Sequence, residues 1–172
     1  MSYLLRPISQ ETFEKKVFIR FKSINEGFSR FENFMLQDTK DNSEEKLITF
    51  INKAFQLNGE ENSYIDFYLS RLDREAVDNL FALLNEDDKA MLKRHISEIE
   101  EDTIYFRLSR EAIPFITRLN TREVFFCTFY FTKFPCTIWG NYNMKFPVFF
   151  NDKTDVEKYK NIADEYGLSL ES

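Results

Sequence analysis

An aromatic-rich stretch from Arg122 to Asn151 constrains the fold of this chain more than any other segment. Within it lie eleven aromatic residues, and Pro135, Gly140 and Pro147 punctuate the run. Aromatic and β-branched residues at this density, interrupted by turn formers, are typical of a β-sheet. Each aromatic side chain buries a large apolar area, so we expect this sheet to form the centre of the hydrophobic core.

The alternation of side chains predicts three strands in this stretch, over residues 124–132, 137–139 and 143–150. Because successive side chains of a strand point to opposite faces, one face of the first strand is apolar, with Phe125, Cys127, Phe129 and Phe131. Its other face is mixed, which indicates that a second, partial layer covers it. Pro147 cannot donate a ladder hydrogen bond, so the last strand is predicted to be an edge or bulged strand.

Helical periodicity dominates the first hundred residues. Apolar residues spaced by four and three predict one long helix over residues 10–37, with a seam formed by Val17, Phe21, Ile24, Phe28, Phe31 and Met35. Either a bend or a break is expected at Gly27. The seam favours packing within the chain over a coiled-coil dimer, because aromatic residues pack poorly as paired knobs. Further helices are predicted over residues 43–57, 74–84 and 85–99, whereas residues 64–72 fit either a helix or a short strand.

The period changes after residue 100 and gives the fold class. A half-buried strand is predicted over residues 104–108, a short helix over 109–119, then the three strands, and a final helix that opens with a capping box formed by Thr154 and Glu157. We therefore predict an α+β fold with one domain over residues 1–172. Its helical N-terminal half, about residues 9–100, packs on an antiparallel sheet, and residues 101–172 follow the order β-α-β-β-β-α.

Few residues have the chemistry of a catalytic or metal site. His95 is the only histidine and lies along an apolar stripe, so we expect it to be partly buried, hydrogen-bonded and structural. Cys127 and Cys136 fall out of register for a disulfide and are expected to be free buried thiols. One histidine and two distant cysteines lack the spacing of a zinc site, and the sequence has no phosphate-binding or nucleophile motif. No catalytic residue, metal or cofactor is predicted.

Charge is distributed unevenly along the chain, whose net charge is −6. Residues 41–102 hold 16 acidic and 7 basic residues, whereas residues 103–150 hold 2 acidic and 6 basic residues. The sequence therefore predicts an acidic lobe beside a mildly basic sheet. A negative field of this kind repels nucleic acid and favours a basic protein partner. The alternative interpretation is a solvated surface that only keeps the protein soluble.

Two acidic clusters and one turn supply the candidate partner-binding residues. Asp87 and Asp88 open a predicted helix, where the macrodipole favours negative charge. At the C-terminal end of that helix the macrodipole disfavours negative charge. The acidic residues found there therefore indicate a role other than stability, and they are Glu98, Glu100, Glu101 and Asp102. Trp139 and Tyr142 flank a predicted turn, and exposed aromatic residues at a turn are typical of binding hot spots. Core packing is the other interpretation of Trp139.

These features predict a binding protein rather than an enzyme. A small acidic domain suits a stoichiometric inhibitor of a basic enzyme, because charge complementarity speeds association. The class we expect is an immunity protein that neutralises a basic, nuclease-like toxin of a bacterial competition system. The alternatives are a small hydrolase that uses acidic residues, and a self-associating scaffold whose interface is the seam of residues 17–35.

Targeting signals are the last feature of the sequence. The N-terminal residues lack the apolar core of a signal peptide, and no apolar run approaches the roughly 20 residues that span a bilayer. We therefore expect a cytoplasmic protein without membrane contact, and a monomer rather than a homo-oligomer.

Overall fold

A computed structural model describes residues 3–172, in which eight strands form one mixed α+β structure with seven α-helices. The strands are β1 (Arg6–Ile8), β2 (Glu32–Gln37), β3 (Ser63–Asp66), β4 (Tyr105–Arg107), β5 (Thr128–Phe131), β6 (Cys136–Trp139), β7 (Phe146–Phe150) and β8 (Ser169–Glu171). The helices are α1 (Gln10–Lys16), α2 (Ile24–Arg30), α3 (Glu44–Asn58), α4 (Arg74–Ala82), α5 (Glu86–Glu98), α6 (Ile113–Thr121) and α7 (Val156–Glu165). The predicted α+β class is confirmed.

All eight strands belong to a single antiparallel sheet with the order β1-β4-β3-β5-β6-β7-β2-β8. The predicted order β-α-β-β-β-α in the second half is present, from β4 through α7, and β8 follows it. Strand β2 lies where only a helix was predicted, whereas β1 and β8 lie where no element was predicted. Residues 64–72, predicted as either a helix or a short strand, contain the end of β3 and then a 3₁₀ turn over Tyr68–Arg71. Strands β1 and β3 have three and four residues, too few to show a clear period of two.

Alternation across the sheet separates a main core from a second face. Ile65, Phe106, Phe129 and Ile138 point into the main core, which α3, α6 and α7 cover. Their neighbours in sequence point to the second face, where Tyr64 and Tyr130 pack with Phe13 and Val17. The predicted partial second layer is thus confirmed, and residues 10–31 supply it.

The predicted helix over residues 10–37 is wrong. It divides into α1, an extended link and α2, and then continues as strand β2. Ser23 provides the local reason, because its hydroxyl accepts from the N–H of Glu26 and starts a new helix. Gly27 does not break the chain; it is buried inside α2, where the ring of Phe21 packs against it. The seam of residues 17–35 is therefore not a continuous helical face for self-association.

Two local predictions in the last third of the chain are also wrong. Strand β7 is not an edge strand, since it pairs with β2 on one side and β6 on the other. Pro147 is tolerated there because it lies one residue beyond the last β6 pair, Ile138 with Val148. No capping box forms at α7, whose N-cap is Asp155 without a side-chain hydrogen bond. The helix does end before Gly167, which has the positive φ of 77° that glycine adopts readily.

None of the helices in residues 3–172 combines the length and the apolar character needed to cross a membrane.

Candidate functional site

A cleft of about 760 Å³ opens on the second face of the sheet. It lies at the rim where β3 and β6 end and where β4 and β5 begin, and the segment from α1 to α2 forms its other wall. The volume falls within the range of roughly 300–1,000 Å³ found for small-molecule sites. We call this feature the aromatic cleft, because its lining includes Phe13, Phe18, Phe21, Tyr68, Tyr105, Phe126, Tyr130, Trp139 and Tyr142.

Ring contacts fix the walls of the aromatic cleft. Phe13 of α1 stacks on Tyr105 with ring centroids 3.9 Å apart and meets Tyr130 edge-on at 4.9 Å. On the other side, Phe21 stacks on Trp139 at 5.3 Å. The lining is thus built by anchoring the α1–α2 segment onto the sheet through aromatic pairs, which adds to the stabilisation from buried area.

Asp66 lies at the base of the aromatic cleft, and only 5% of its surface is exposed. One carboxylate oxygen accepts from the N–H of Thr128 (2.8 Å) and the other accepts from the hydroxyl of Tyr130 (2.9 Å). No lysine or arginine of residues 3–172 forms an ion pair with it. Burial raises the pKa of Asp66 to about 6, against the lowering effect of hydrogen bonds from the N–H and hydroxyl of Thr128 and from the hydroxyl of Tyr130.

Three tyrosines lie within the electrostatic influence of this carboxylate. Burial and the charge of Asp66 raise the pKa of Tyr68 to about 12, and the same two causes raise the pKa of Tyr105. Tyr130 is the direct donor to Asp66, and its pKa is raised strongly by burial and by that charge. These phenols stay protonated at neutral pH, so they present donors and aromatic faces but no further negative charge.

Three basic residues line the rim of the cleft, and two of them form hydrogen bonds or an ion pair within the protein. Arg20 donates to the carbonyls of Val17 (2.6 Å) and Glu14 (3.3 Å), at the end of α1. Arg30 forms an ion pair with Glu26 at 2.7 Å. Lys22 is exposed and has no ion-pair partner among the described residues.

The structure places both Trp139 and Tyr142 in the lining of the aromatic cleft. Tyr142 is 60% exposed and meets Phe126 edge-on at 4.8 Å. Trp139 is half-buried. Its ring packs on Phe21 and also lines the aromatic cleft, so it has both a packing role and an accessible surface.

The predicted acidic residues do not form one surface. Asp88 is 2% exposed and holds Arg118 of α6 through two nitrogens, with distances of 2.6 to 3.2 Å. Glu98 accepts from the N–H of Leu4 (2.8 Å) and from Arg94 (2.7 Å), and the pKa of its carboxyl is lowered. Asp102 pairs with Arg71 at 3.1 Å. Asp88 and Glu98 therefore have structural roles that the sequence pattern did not reveal.

Asp87, Glu100 and Glu101 remain exposed, without a side-chain hydrogen bond or ion pair in the described part of the chain. Asp87 stands at one end of α5 and the other two follow its opposite end. Because a helix rises by 1.5 Å per residue, Asp87 is separated from Glu100 and Glu101 by about 16 Å or more along the helix axis. They are not part of the aromatic cleft.

Sequence reasoning missed Asp66. The signal was a single charged residue inside the otherwise apolar and aromatic run of residues 64–69, where a solvated surface is not expected. The segment was compatible with a helix, which would have placed Asp66 on a different face from Tyr64, so no pairing with the later strand residues Thr128 and Tyr130 could be inferred.

His95 and the two cysteines lie outside the aromatic cleft. His95 is 2% exposed, stacks on Phe67 at 5.1 Å and, contrary to expectation, has no hydrogen-bond partner at Nδ1. Burial lowers the pKa of His95 to about 4. Cys127 and Cys136 are free and buried, as predicted, and burial raises the pKa of both thiols. Residues 3–172 contain no cluster of three or more His, Cys, Asp and Glu side chains arranged to hold a metal ion.

Comparisons of the chain with protein-family models, with curated proteins and with solved structures found no match.

Proposed function

We propose that this chain is a non-catalytic, stoichiometric binding protein that recognises a basic protein partner through the aromatic cleft. The observation that carries the proposal is the pairing of a buried, cation-free carboxylate with a wall of aromatic side chains in one open cleft. Tyrosine and tryptophan in a pocket are the residue types that dominate binding energy at protein interfaces.

The acidic surface supports a basic partner. The net charge of −6 and the exposed carboxylates of Asp87, Glu100 and Glu101 give an approaching cationic protein a favourable long-range field. The physical class that fits is an immunity protein, acting as a monomer in the cytoplasm, that neutralises a nuclease-like toxin of a bacterial competition system. In such a pair, charge would set the rate of association and the aromatic cleft the lifetime of the complex.

The first experiment is affinity capture of the partner from the source cells with the wild-type chain and with Tyr142→Ala. Tyr142 is exposed at the rim, so its removal leaves the fold intact. We expect one basic protein in a 1:1 complex, released as salt rises, and about tenfold weaker binding to the variant, as for a hot-spot residue. Binding of the purified partner is then measured by titration calorimetry.

Charge reversal separates the contribution of the acidic surface to association from the contribution of the aromatic cleft to the lifetime of the complex. Glu100→Lys with Glu101→Lys is expected to slow association several-fold with little effect on dissociation, because these carboxylates make no bonds within the described chain. Asp164→Lys with Glu165→Lys on α7 changes the net charge equally and serves as the control. A partner that binds Tyr142→Ala as tightly as the wild type would contradict recognition through the aromatic cleft.

One observation favours a second candidate, a small hydrolase. A carboxyl with a pKa raised to about 6 suits a general acid or base, and Glu14 lines the same cleft as Asp66. Turnover of a chromogenic ester, glycoside or phosphodiester that is abolished in Asp66→Asn would favour this candidate over the binding protein.

A further inference from the structure

Asp66 is a buried carboxylate that faces a cleft and has only neutral donors as partners. We propose that the aromatic cleft binds the guanidinium group of one arginine side chain of the partner, stacked between aromatic rings and paired with Asp66. This inference rests on the proposed function and names the group that occupies its site.

The hydrogen-bonding capacity of Asp66 leaves room for such a ligand. Each carboxylate oxygen offers two lone pairs, and the N–H of Thr128 and the hydroxyl of Tyr130 use one on each oxygen. The hydroxyl of Thr128 competes for one of the two remaining positions, since it also lowers the pKa of Asp66 as a donor. A guanidinium needs one position on each oxygen for its two parallel N–H groups, so it would displace that hydroxyl. With a pKa of about 6, Asp66 is ionised in most molecules at pH 7.5.

The walls suit a flat cation. Tyr68, Tyr105 and Trp139 line the cleft that holds Asp66. Phe13 covers one face of Tyr105 and Phe21 covers one face of Trp139, so a ligand can stack only on the opposite face of each ring. The faces of such rings attract a cation through their quadrupole, most strongly where water is excluded. Arginine also stacks on aromatic rings as a planar group, which a lysine ammonium cannot do.

The rim cations do not oppose this ligand. Arg20 is held by carbonyl groups at the end of α1, which carries the negative end of the helix dipole, and Arg30 is neutralised by Glu26. The acidic and basic side chains of the lining balance, with Glu14, Glu26 and Asp66 against Arg20, Lys22 and Arg30. The attraction for a cation therefore comes from the buried carboxylate at the base and not from a net charge of the cleft.

A guanidinium fits better than an ammonium because the site is deep. Asp66 is almost fully buried, so any partner group must lose its water to reach it. Guanidinium is more weakly hydrated than ammonium and is pre-organised to form two hydrogen bonds at once.

The test uses three small probes on the full chain: N-acetyl-arginine methylamide, its citrulline analogue, which is neutral and nearly isosteric, and its lysine analogue. Trp139 is the only tryptophan and lines the aromatic cleft, so its fluorescence reports binding. A probe of this size is expected to bind with a Kd on the order of 1 mM. The citrulline and lysine probes are expected to bind at least about tenfold more weakly. Citrulline lacks the positive charge, and lysine lacks the two parallel N–H donors of the guanidinium.

Two variants and a matched control accompany the probes. Asp66→Asn is expected to weaken arginine binding at least about tenfold. Tyr142→Ala, at the exposed rim, keeps the test decisive if Asp66→Asn fails to fold, and a loss of about threefold or more is expected. Asp78→Asn removes an exposed carboxylate of α4 away from the cleft and should leave the affinity unchanged.

Equal binding of the arginine and citrulline probes, or wild-type affinity in Asp66→Asn, would overturn the proposal. Equal binding of the lysine probe would overturn the assignment to guanidinium. These outcomes are independent of the proposed function, which fails only if the partner binds Tyr142→Ala normally. Displacement of the captured partner by excess arginine probe, with no displacement by citrulline, would support both.

Discussion

At the scale of single residues, the burial of Asp66 makes the charged form of its carboxyl unfavourable for the stability of the fold. Its carboxyl is buried without a cation, and burial lifts its pKa from the ordinary 3.8 to about 6. The native state therefore holds this proton more tightly than the unfolded chain. The associated stabilisation is complete below about pH 4 and is lost as the pH rises through about 6.

Asp66→Asn is therefore expected to stabilise the protein at neutral pH. A shift of two pKa units corresponds to about 3 kcal/mol, so a gain of about 1–3 kcal/mol in the free energy of unfolding is expected at pH 7.5, and little below pH 4. Urea unfolding at both pH values measures it. Asp87→Asn, at an exposed position, should stay within about 0.5 kcal/mol of the wild type. A less stable Asp66→Asn at pH 7.5 would mean that Asp66 is retained for structure rather than for binding.

His95 has the opposite dependence on pH. Burial lowers its pKa from 6.5 to about 4, with Glu98 as the one charge that raises it, so the unfolded chain binds the proton more tightly. Stability is intact above about pH 6.5 and falls as the pH drops toward 4. At pH 5 the loss amounts to about 2 kcal/mol.

His95→Phe is expected to remove this loss. The ring would still stack on Phe67 and meet Phe106, and the unpaired Nδ1 would disappear. We expect the variant to match or slightly exceed the wild type at pH 7.5 and to be more stable by about 2 kcal/mol at pH 5. The single histidine also allows its pKa to be measured directly from its C–H proton resonances. A measured value near 6.5 would contradict this account.

At the scale of elements, the α1–α2 segment is the feature that creates the cleft. Its apolar residues have helical spacing in the sequence, but they are divided among α1, the extended link and α2. Val17 packs on Tyr64 and Tyr130, while Phe21 packs on Trp139 and Phe149 from an extended link. The link crosses the sheet, and the carbonyl of Ile19 accepts from Thr137 at 2.6 Å.

Gly27→Ala tests how tightly this layer is packed. A Cβ at position 27 would meet the ring of Phe21 at 2.7 Å, so the ring would have to move off Trp139. Overpacking of this kind costs about 1–3 kcal/mol and exceeds the gain of up to about 1 kcal/mol in helix propensity. We expect a net loss of roughly 1–2 kcal/mol and a changed Trp139 fluorescence.

Asn25→Ala, at an exposed position of the same helix, is the control for Gly27→Ala and should be neutral or slightly stabilising. A Gly27→Ala variant as stable as this control would show that Phe21 has room to move.

The elements that could be predicted are those whose local signals agree with one another. Helices α3, α4 and α5 begin at Ser43, Asp73 and Asn85, each of which accepts the capping hydrogen bond. Strands β4, β5 and β7 lie within the predicted segments 104–108, 124–132 and 143–150, in which the alternation extends beyond the strand itself, and β6 begins one residue before the predicted segment 137–139. The α1–α2 segment was mispredicted because aromatic spacing alone cannot distinguish a helical seam from residues that reach one surface by different routes.

At the scale of the whole molecule, the aromatic cleft depends on pairings between distant parts of the chain. Asp66 meets Thr128 and Tyr130 because β3 pairs with β5, more than sixty residues away. Trp139 and Tyr142 could be proposed as binding residues from their turn position alone. Asp66 could not, since a buried carboxylate is recognised only when the strand beside it is known.

The place of β2 in the sheet has a consequence for biosynthesis. Its two neighbours, β7 and β8, begin more than a hundred residues later in the chain. At a translation rate of about 5–20 residues per second, Phe34, Met35 and Leu36 wait roughly 5–30 s for their partner strands. Both edges of this apolar strand are open during that time and are a template for pairing with other nascent chains. A strand that the finished fold holds between two others is thus open to non-native pairing until most of the chain has been synthesised.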